Sequence, residues 1–172
     1  MLIASKYEEI YAPQVDEFCY ITDNTYSRDD VLSMERVVLD ALDFDLTQPT
    51  IKSFLRRCLR AADADAKTEF LANFLAELAL LEYSFLRFSQ STIAAAAVSL
   101  ALVTLGKAPW STTLSHYTSL EKEDLKECVS ALHACHLATQ KSSLSAVREK
   151  YSHAKFKCVS LIEAQIGLNL FY

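Results

Sequence analysis

The sequence is short of chain-turning residues. Its 172 positions hold two glycines, Gly106 and Gly167, and three prolines, Pro13, Pro49 and Pro109. A sandwich, barrel or α/β fold needs many more turns than these residues supply, so long helices are the expected consequence. Positive charge is also scarce: 17 Lys and Arg stand against 22 Asp and Glu, a net charge of −5. No global positive field draws in phosphate backbones, which argues against nucleic acid as a partner. The cysteines, Cys19, Cys58, Cys128, Cys135 and Cys158, are odd in number and never in CxxC spacing. Free thiols in a reducing compartment, nucleus and cytoplasm, are the expectation. The most apolar run, Ile93 to Leu105, is interrupted by Ser99 and Thr104 and falls short of the ~20 residues a bilayer span requires. A buried core helix, and no membrane partner, is expected there.

What the sequence does have is apolar content. Hydrophobic residues make up 51% of it, enough for one substantial domain or two small ones at about 100–150 residues per domain. Leu2, Ile3, Tyr7 and Ile10 fall at helical spacing before Pro13, and Val15 to Ile21 carries Val15, Phe18, Cys19 and Ile21 toward the turn pair Asp23-Asn24. Because no capping residue precedes Leu2, the chain is expected to begin inside a helix and to be truncated relative to a complete domain. Ser27, followed by Asp29 and Asp30, opens a helix over 28–42 whose apolar stripe is Val31, Met34, Val38, Leu39 and Leu42.

A helix is expected to start near Pro49, with Phe54, Leu55, Cys58 and Leu59 on one face and Arg56, Arg57 and Arg60 mostly on the other. The polar stretch Asp63 to Thr68 marks the expected domain boundary, followed by a long buried helix over 69–86. Ser91 is the expected cap of a helix over 92–105, in which Ala94 to Ala97 lets neighbouring helices approach closely, as a central helix requires. Further helices are expected near 112–117, over 120–138 and, capped by Ser143, over 144–156. Two successive helix clusters suggest a repeat of a five-helix unit with its first copy incomplete.

Catalytic readings find no support. Two isolated glycines form neither a P-loop nor a dinucleotide fingerprint, and helices rich in alanine and leucine provide no nucleophile turn or oxyanion loop. No catalytic residue and no cofactor is expected. Cys128, His133, Cys135 and His136 invite a zinc reading, but both histidines do not share the face that the cysteines share, so a buried-thiol reading is preferred and no metal is expected. Arg148, Lys150, Lys155 and Lys157 make one segment locally basic, which is more often a solvated helix face than a DNA contact.

The stretch ASKYEEIYAPQVDEFCYITDNTYSRDDVLSMERVVLDALDFDLTQPTIKSFLRR is similar to the cyclin box of mitotic cyclins. Together with FLRRCLRAA, KAPW, HYTS and VREKYSHAKFKCVS, it most resembles the A-type, particularly the plant-like A-type, with the B-type as nearest competitor. Residues 1–63 resemble the later part of a first cyclin box and 66–158 a complete second box. The resemblance implies an all-α fold of tandem five-helix cyclin boxes, the first incomplete. Its expected divisions are 1–63, 64–160 and a C-terminal tail over 161–172.

By the same resemblance, the chain is a regulatory subunit, not an enzyme. It is expected to bind a cyclin-dependent protein serine/threonine kinase as a heterodimer and to activate it in cell-cycle control. The alternative is a truncated helical interaction module that binds the kinase without activating it. Lys6 matches the family's docking lysine, which bonds backbone carbonyls of the kinase, and Glu35 its docking glutamate, which accepts from backbone amides. Ile3, Tyr7, Leu39, Phe44 and Leu46 match the apolar part of that face, Tyr7 standing where many relatives have Phe. The upstream substrate-docking patch of complete cyclins, built on a Met-Arg-Ala-Ile-Leu motif, has no counterpart in these residues.

Overall fold

The computed structural model describes residues 1–140 and 142–164. Among them are nine α-helices, three short 3-10 turns and no strand, the all-α architecture the sequence implies. The chain divides into two compact units between Gln48 and Pro49.

The first unit holds α1 (Leu2–Glu8), α2 (Val15–Ile21) and α3 (Arg28–Ala41). Ser27 caps α3: its hydroxyl accepts from the Asp30 amide, and the Asp30 carboxylate accepts from the Ser27 amide at 3.0 Å. The buried core is small, with Leu2, Val15 and Cys19 packed by Phe18, Val31 and Leu32. The expected stripe of α3 is amphipathic but not buried, since no residue of α3 is fully enclosed. Length explains this, because each seven-residue partner helix spans about 10 Å and α3 about 21 Å.

The second unit contains α4 (Ile51–Ala61), α5 (Ala66–Ala79), α6 (Gln90–Thr104), α7 (Thr112–Thr118), α8 (Lys122–Ala138) and α9 (Ala146–Ser152). α6 is central, packed by α4, α5 and α8, and every residue from Ile93 to Leu102 is buried. Ala94 to Ala97 are fully enclosed, so the absence of side chains beyond Cβ is what lets three helices close on one. None of these helices is long and apolar enough to cross a membrane.

Several expected boundaries move. The division falls at 48/49 rather than 63/64, because Ile51, Leu55, Cys58 and Leu59 of α4 are buried in the core that α6 centres. With α4 restored to it, the second unit has the five-helix set α4–α8, followed by α9. The expected helix over 69–86 stops at Ala79, and a 3-10 turn, Tyr83–Arg87, folds Phe85 into the core while Leu80, Tyr83 and Leu86 stay exposed. Ser89, not Ser91, caps α6, accepting from the Thr92 amide at 3.1 Å. The last helix is shorter than 144–156: α9 ends at Ser152, and 3-10 turns over Ala154–Phe156 and Val159–Leu161 carry the chain back onto the core. The expected tail over 161–172 therefore begins inside packed structure, since Ile162 lies against the core. Its remainder, 165–172, lies outside the described residues.

The helices are also shorter than a glycine-poor chain leads one to expect, at 7 to 17 residues. Aspartate takes over glycine's turning role. After α2, α3 and α4, Asp23, Asp43 and Asp63 adopt left-handed backbone with φ of 54°, 49° and 45°. Each closes the same paired-bond helix end: Asp43 N–H donates to Asp40 O (3.1 Å) and Phe44 N–H to Leu39 O (3.0 Å), with Asp23/Asn24 and Asp63/Ala64 repeating the pattern. Gly106, at φ 71°, does the same for α6.

Candidate functional site

The seven residues marked by resemblance all lie in the first unit, on α1, on α3 and in the segment that follows α3. Lys6 sits in the last turn of α1, where a cation complements the carbonyl end of the helix dipole. Its Nζ donates to both oxygens of Glu35 on α3, at 2.7 and 2.9 Å. The Lys6 side chain is 47% exposed and that of Glu35 15%, so the carboxylate is recessed and the ammonium stands at the rim. The two charges are joined to each other while each keeps unused capacity: an ammonium has three donors, and a carboxylate has about four acceptor positions.

Tyr7, next in α1, is half exposed, and its hydroxyl bonds the Thr47 hydroxyl at 2.5 Å. That contact ties α1 to the segment following α3. Thr47 was not foreseen as part of this surface, and only the fold reveals it, because 40 residues separate the partners. Ile3, Leu39 and Leu46 are each half-buried.

Phe44 is 64% exposed and adopts φ 56°. A bulky residue in left-handed backbone is uncommon, and such geometry is retained where the surroundings over-determine it. Here the surroundings are backbone bonds: Phe44 N–H donates to Leu39 O and Leu46 N–H to Phe44 O, both at 3.0 Å. Leu39, Phe44 and Leu46 are thus a single turn that projects an aromatic ring outward.

Beside the ion pair, an apolar groove of about 740 Å³ runs along α1, α2 and α3. Ile3, Phe18, Ile21, Met34, Val37 and Glu35 line it. Val37, 58% exposed, is a residue the sequence stripe omitted; its i+3 spacing from Met34 was the available signal. An apolar field with a few oriented charges is the composition of a protein-contact surface.

Cys58, Cys128 and His136 of the second unit are buried in its core. All five cysteines are free thiols. Burial pushes the Cys128 thiol up to about 12 and raises Cys58 and Cys135 as well, so these groups stay protonated and unreactive at neutral pH. His136 is buried, with Nε2 3.1 Å from Ile162 O and Nδ1 without a partner among the described residues, and desolvation lowers its pKa. Among the described residues no three His, Cys, Asp or Glu side chains group as metal ligands.

Comparison with known proteins agrees with this architecture. The domain described as "Cyclin, C-terminal domain" matches residues 49–165, and "Cyclin, N-terminal domain" matches 1–47, so both matches divide where the structure does. The chain belongs to the cyclin family.

Within the family it is similar to plant A-type cyclins. It is 51% identical to cyclin-A2-1 of Oryza sativa subsp. japonica, over 99% of this chain and 36% of the relative. It is 54% identical to cyclin-A2-2 of Arabidopsis thaliana, over 93% of this chain and 38% of the relative. Against cyclin-A1-1 of Oryza sativa subsp. japonica the identity is 53%, over 93% of this chain and 33% of the relative. The chain spans about a third of the length of the curated relatives it matches.

Proposed function

We propose that this chain is a regulatory subunit that binds a cyclin-dependent protein serine/threonine kinase through the Lys6–Glu35 face and activates it in cell-cycle control, within the G1/S to G2/M interval. The observation that carries the reading is the ion pair of Lys6 and Glu35 set among exposed apolar side chains of α1 and α3 and the turn at Phe44. Activation by contact needs a rigid surface that positions the kinase's mobile helix, so that its Lys–Glu pair and metal-binding Asp come into register. Lys6, with donor capacity to spare, bonds carbonyls at that helix, and Glu35 accepts from backbone amides. Ile3, Tyr7, Leu39, Phe44 and Leu46 supply the apolar contact. The subunit contributes no catalytic group; ATP and phosphoryl transfer belong to the kinase.

Mixing the purified chain with a cyclin-dependent kinase tests both parts. Co-elution as a heterodimer together with increased phosphorylation of a peptide substrate supports the proposal, and failure to co-elute sinks it. The small core of the first unit, with only Leu2, Val15 and Cys19 enclosed as apolar side chains, favours a second reading in which the chain binds the kinase without activating it. A heterodimer with unchanged kinase activity selects that reading. We place the protein in the nucleus and cytoplasm, which a fluorescent fusion tests directly.

A further inference from the structure

We propose that the outer face of α4 in the second unit binds an extended, acidic segment of a partner protein. Arg56, Arg57 and Arg60 are all exposed there and line a groove of about 690 Å³ with Ser53 of the same helix and Thr113 and Tyr117 of α7. The apolar side of α4 is spent on the core through Ile51, Leu55, Cys58 and Leu59.

The charge balance makes the cluster unusual. The chain carries a net charge of −5, and five of its other cations, Lys6, Arg28, Arg87, Lys107 and Lys150, each have a carboxylate within 3.0 Å. None of Arg56, Arg57 and Arg60 has an ion pair or hydrogen bond to any described residue. Three guanidiniums within one and a half helical turns repel one another, and an anion in the groove relieves that repulsion.

The spacing selects the ligand. Arg56 and Arg60 are one turn apart, a rise of about 6 Å along α4. Side chains at alternate positions of an extended strand recur every ~6.6 Å and share one face. Carboxylates at alternate positions therefore meet the two forks in register, each accepting two parallel N–H bonds, while Arg57 stands beside them. The hydroxyls of Ser53, Thr113 and Tyr117 offer donors to the strand's backbone carbonyls. The site uses the second unit alone and is independent of the kinase-docking proposal.

The test uses the full chain and a fluorescein-labelled peptide of alternating Ser and Glu, read by anisotropy, with a Ser-Gln peptide and oligothymidylate of equal charge as comparisons. The Glu peptide is expected to bind and to weaken as salt rises, and the Gln peptide not to bind. Arg56→Gln and Arg60→Gln are each expected to weaken binding about three- to tenfold, against no change for Lys67→Gln, which removes the same charge from another exposed position. Unchanged thermal unfolding of these exposed variants separates lost binding from lost folding. Equal binding of the Gln peptide, full binding by an Arg56→Gln/Arg57→Gln/Arg60→Gln variant, or tighter binding of oligothymidylate or inorganic phosphate than of the Glu peptide overturns the proposal.

Discussion

Lys6 and Glu35, 29 residues apart, hold α1 to α3 through two hydrogen bonds from a single ammonium. Swapping the two residues separates a structural role from a docking role. Lys6→Glu with Glu35→Lys keeps an ion pair but reverses its polarity and sets the ammonium at the recessed position, so folding stability should fall by about 1 kcal/mol. Kinase affinity should fall at least tenfold, measured by calorimetry. Unchanged affinity would show that the face is not the one the kinase meets.

Phe44 offers a sharper separation, because its backbone and its ring make opposite demands. Asn tolerates left-handed backbone better than Phe, so Phe44→Asn should leave the unfolding midpoint unchanged or slightly raised. The same change removes an exposed ring from the proposed contact, and kinase binding should weaken by about 1–2 kcal/mol. A variant that loses stability together with binding would place Phe44 in the fold instead.

The Tyr7 hydroxyl ties α1 to Thr47. Tyr7→Phe keeps the apolar body and deletes the bond, with an expected stability loss of about 0.5–1 kcal/mol. Amide exchange over 44–48 should quicken while exchange in the second unit stays the same. Equal rates in the two proteins would show that the contact does not order that segment.

The two units differ in how much they enclose. Amides of residues 1–48 should exchange faster than those of α5, α6 and α8, where Phe74, Leu71, Leu100 and Leu125 are fully buried. Addition of the kinase should slow exchange in α1 and α3 if these helices form the contact. Uniform protection across the free chain would contradict the difference in core size.

His136 links stability to pH. Desolvation disfavours its imidazolium, so its folded pKa lies below the unfolded value of ~6.5. The unfolded chain then binds the extra proton more readily. Stability is full above ~6.5 and declines as pH falls toward the folded pKa. Thermal midpoints between about pH 7.5 and about pH 5 should decrease, and His136→Gln should flatten that part of the profile. An identical profile in the variant would assign the decline to other groups.

Much of the fold was legible along the chain. Val15 to Ile21 and Arg28 to Ala41 form helices where spacing and caps put them, and the alanines at 94–97 announced a central helix. These are local signals, in which a capping hydroxyl or a 3.6-residue period acts within a few positions. Boundaries set by packing were misplaced. The polar stretch at 63–68 looked like a domain edge, yet it is only the turn between α4 and α5, closed by Asp63 in left-handed backbone.

By itself, the sequence determined the all-helical class, the amphipathic faces of α3 and α4, and the residue types of a contact surface, because propensity, periodicity and charge are carried by single residues and near neighbours. Only the tertiary structure decided that Lys6 and Glu35 bond each other, that Tyr7 reaches Thr47, and that α4 belongs with the second unit. It also decided that Arg56, Arg57 and Arg60 line an open groove with no carboxylate partner among the described residues. These relations join residues distant along the chain, and which faces a core can cover depends on the lengths of the helices that meet there.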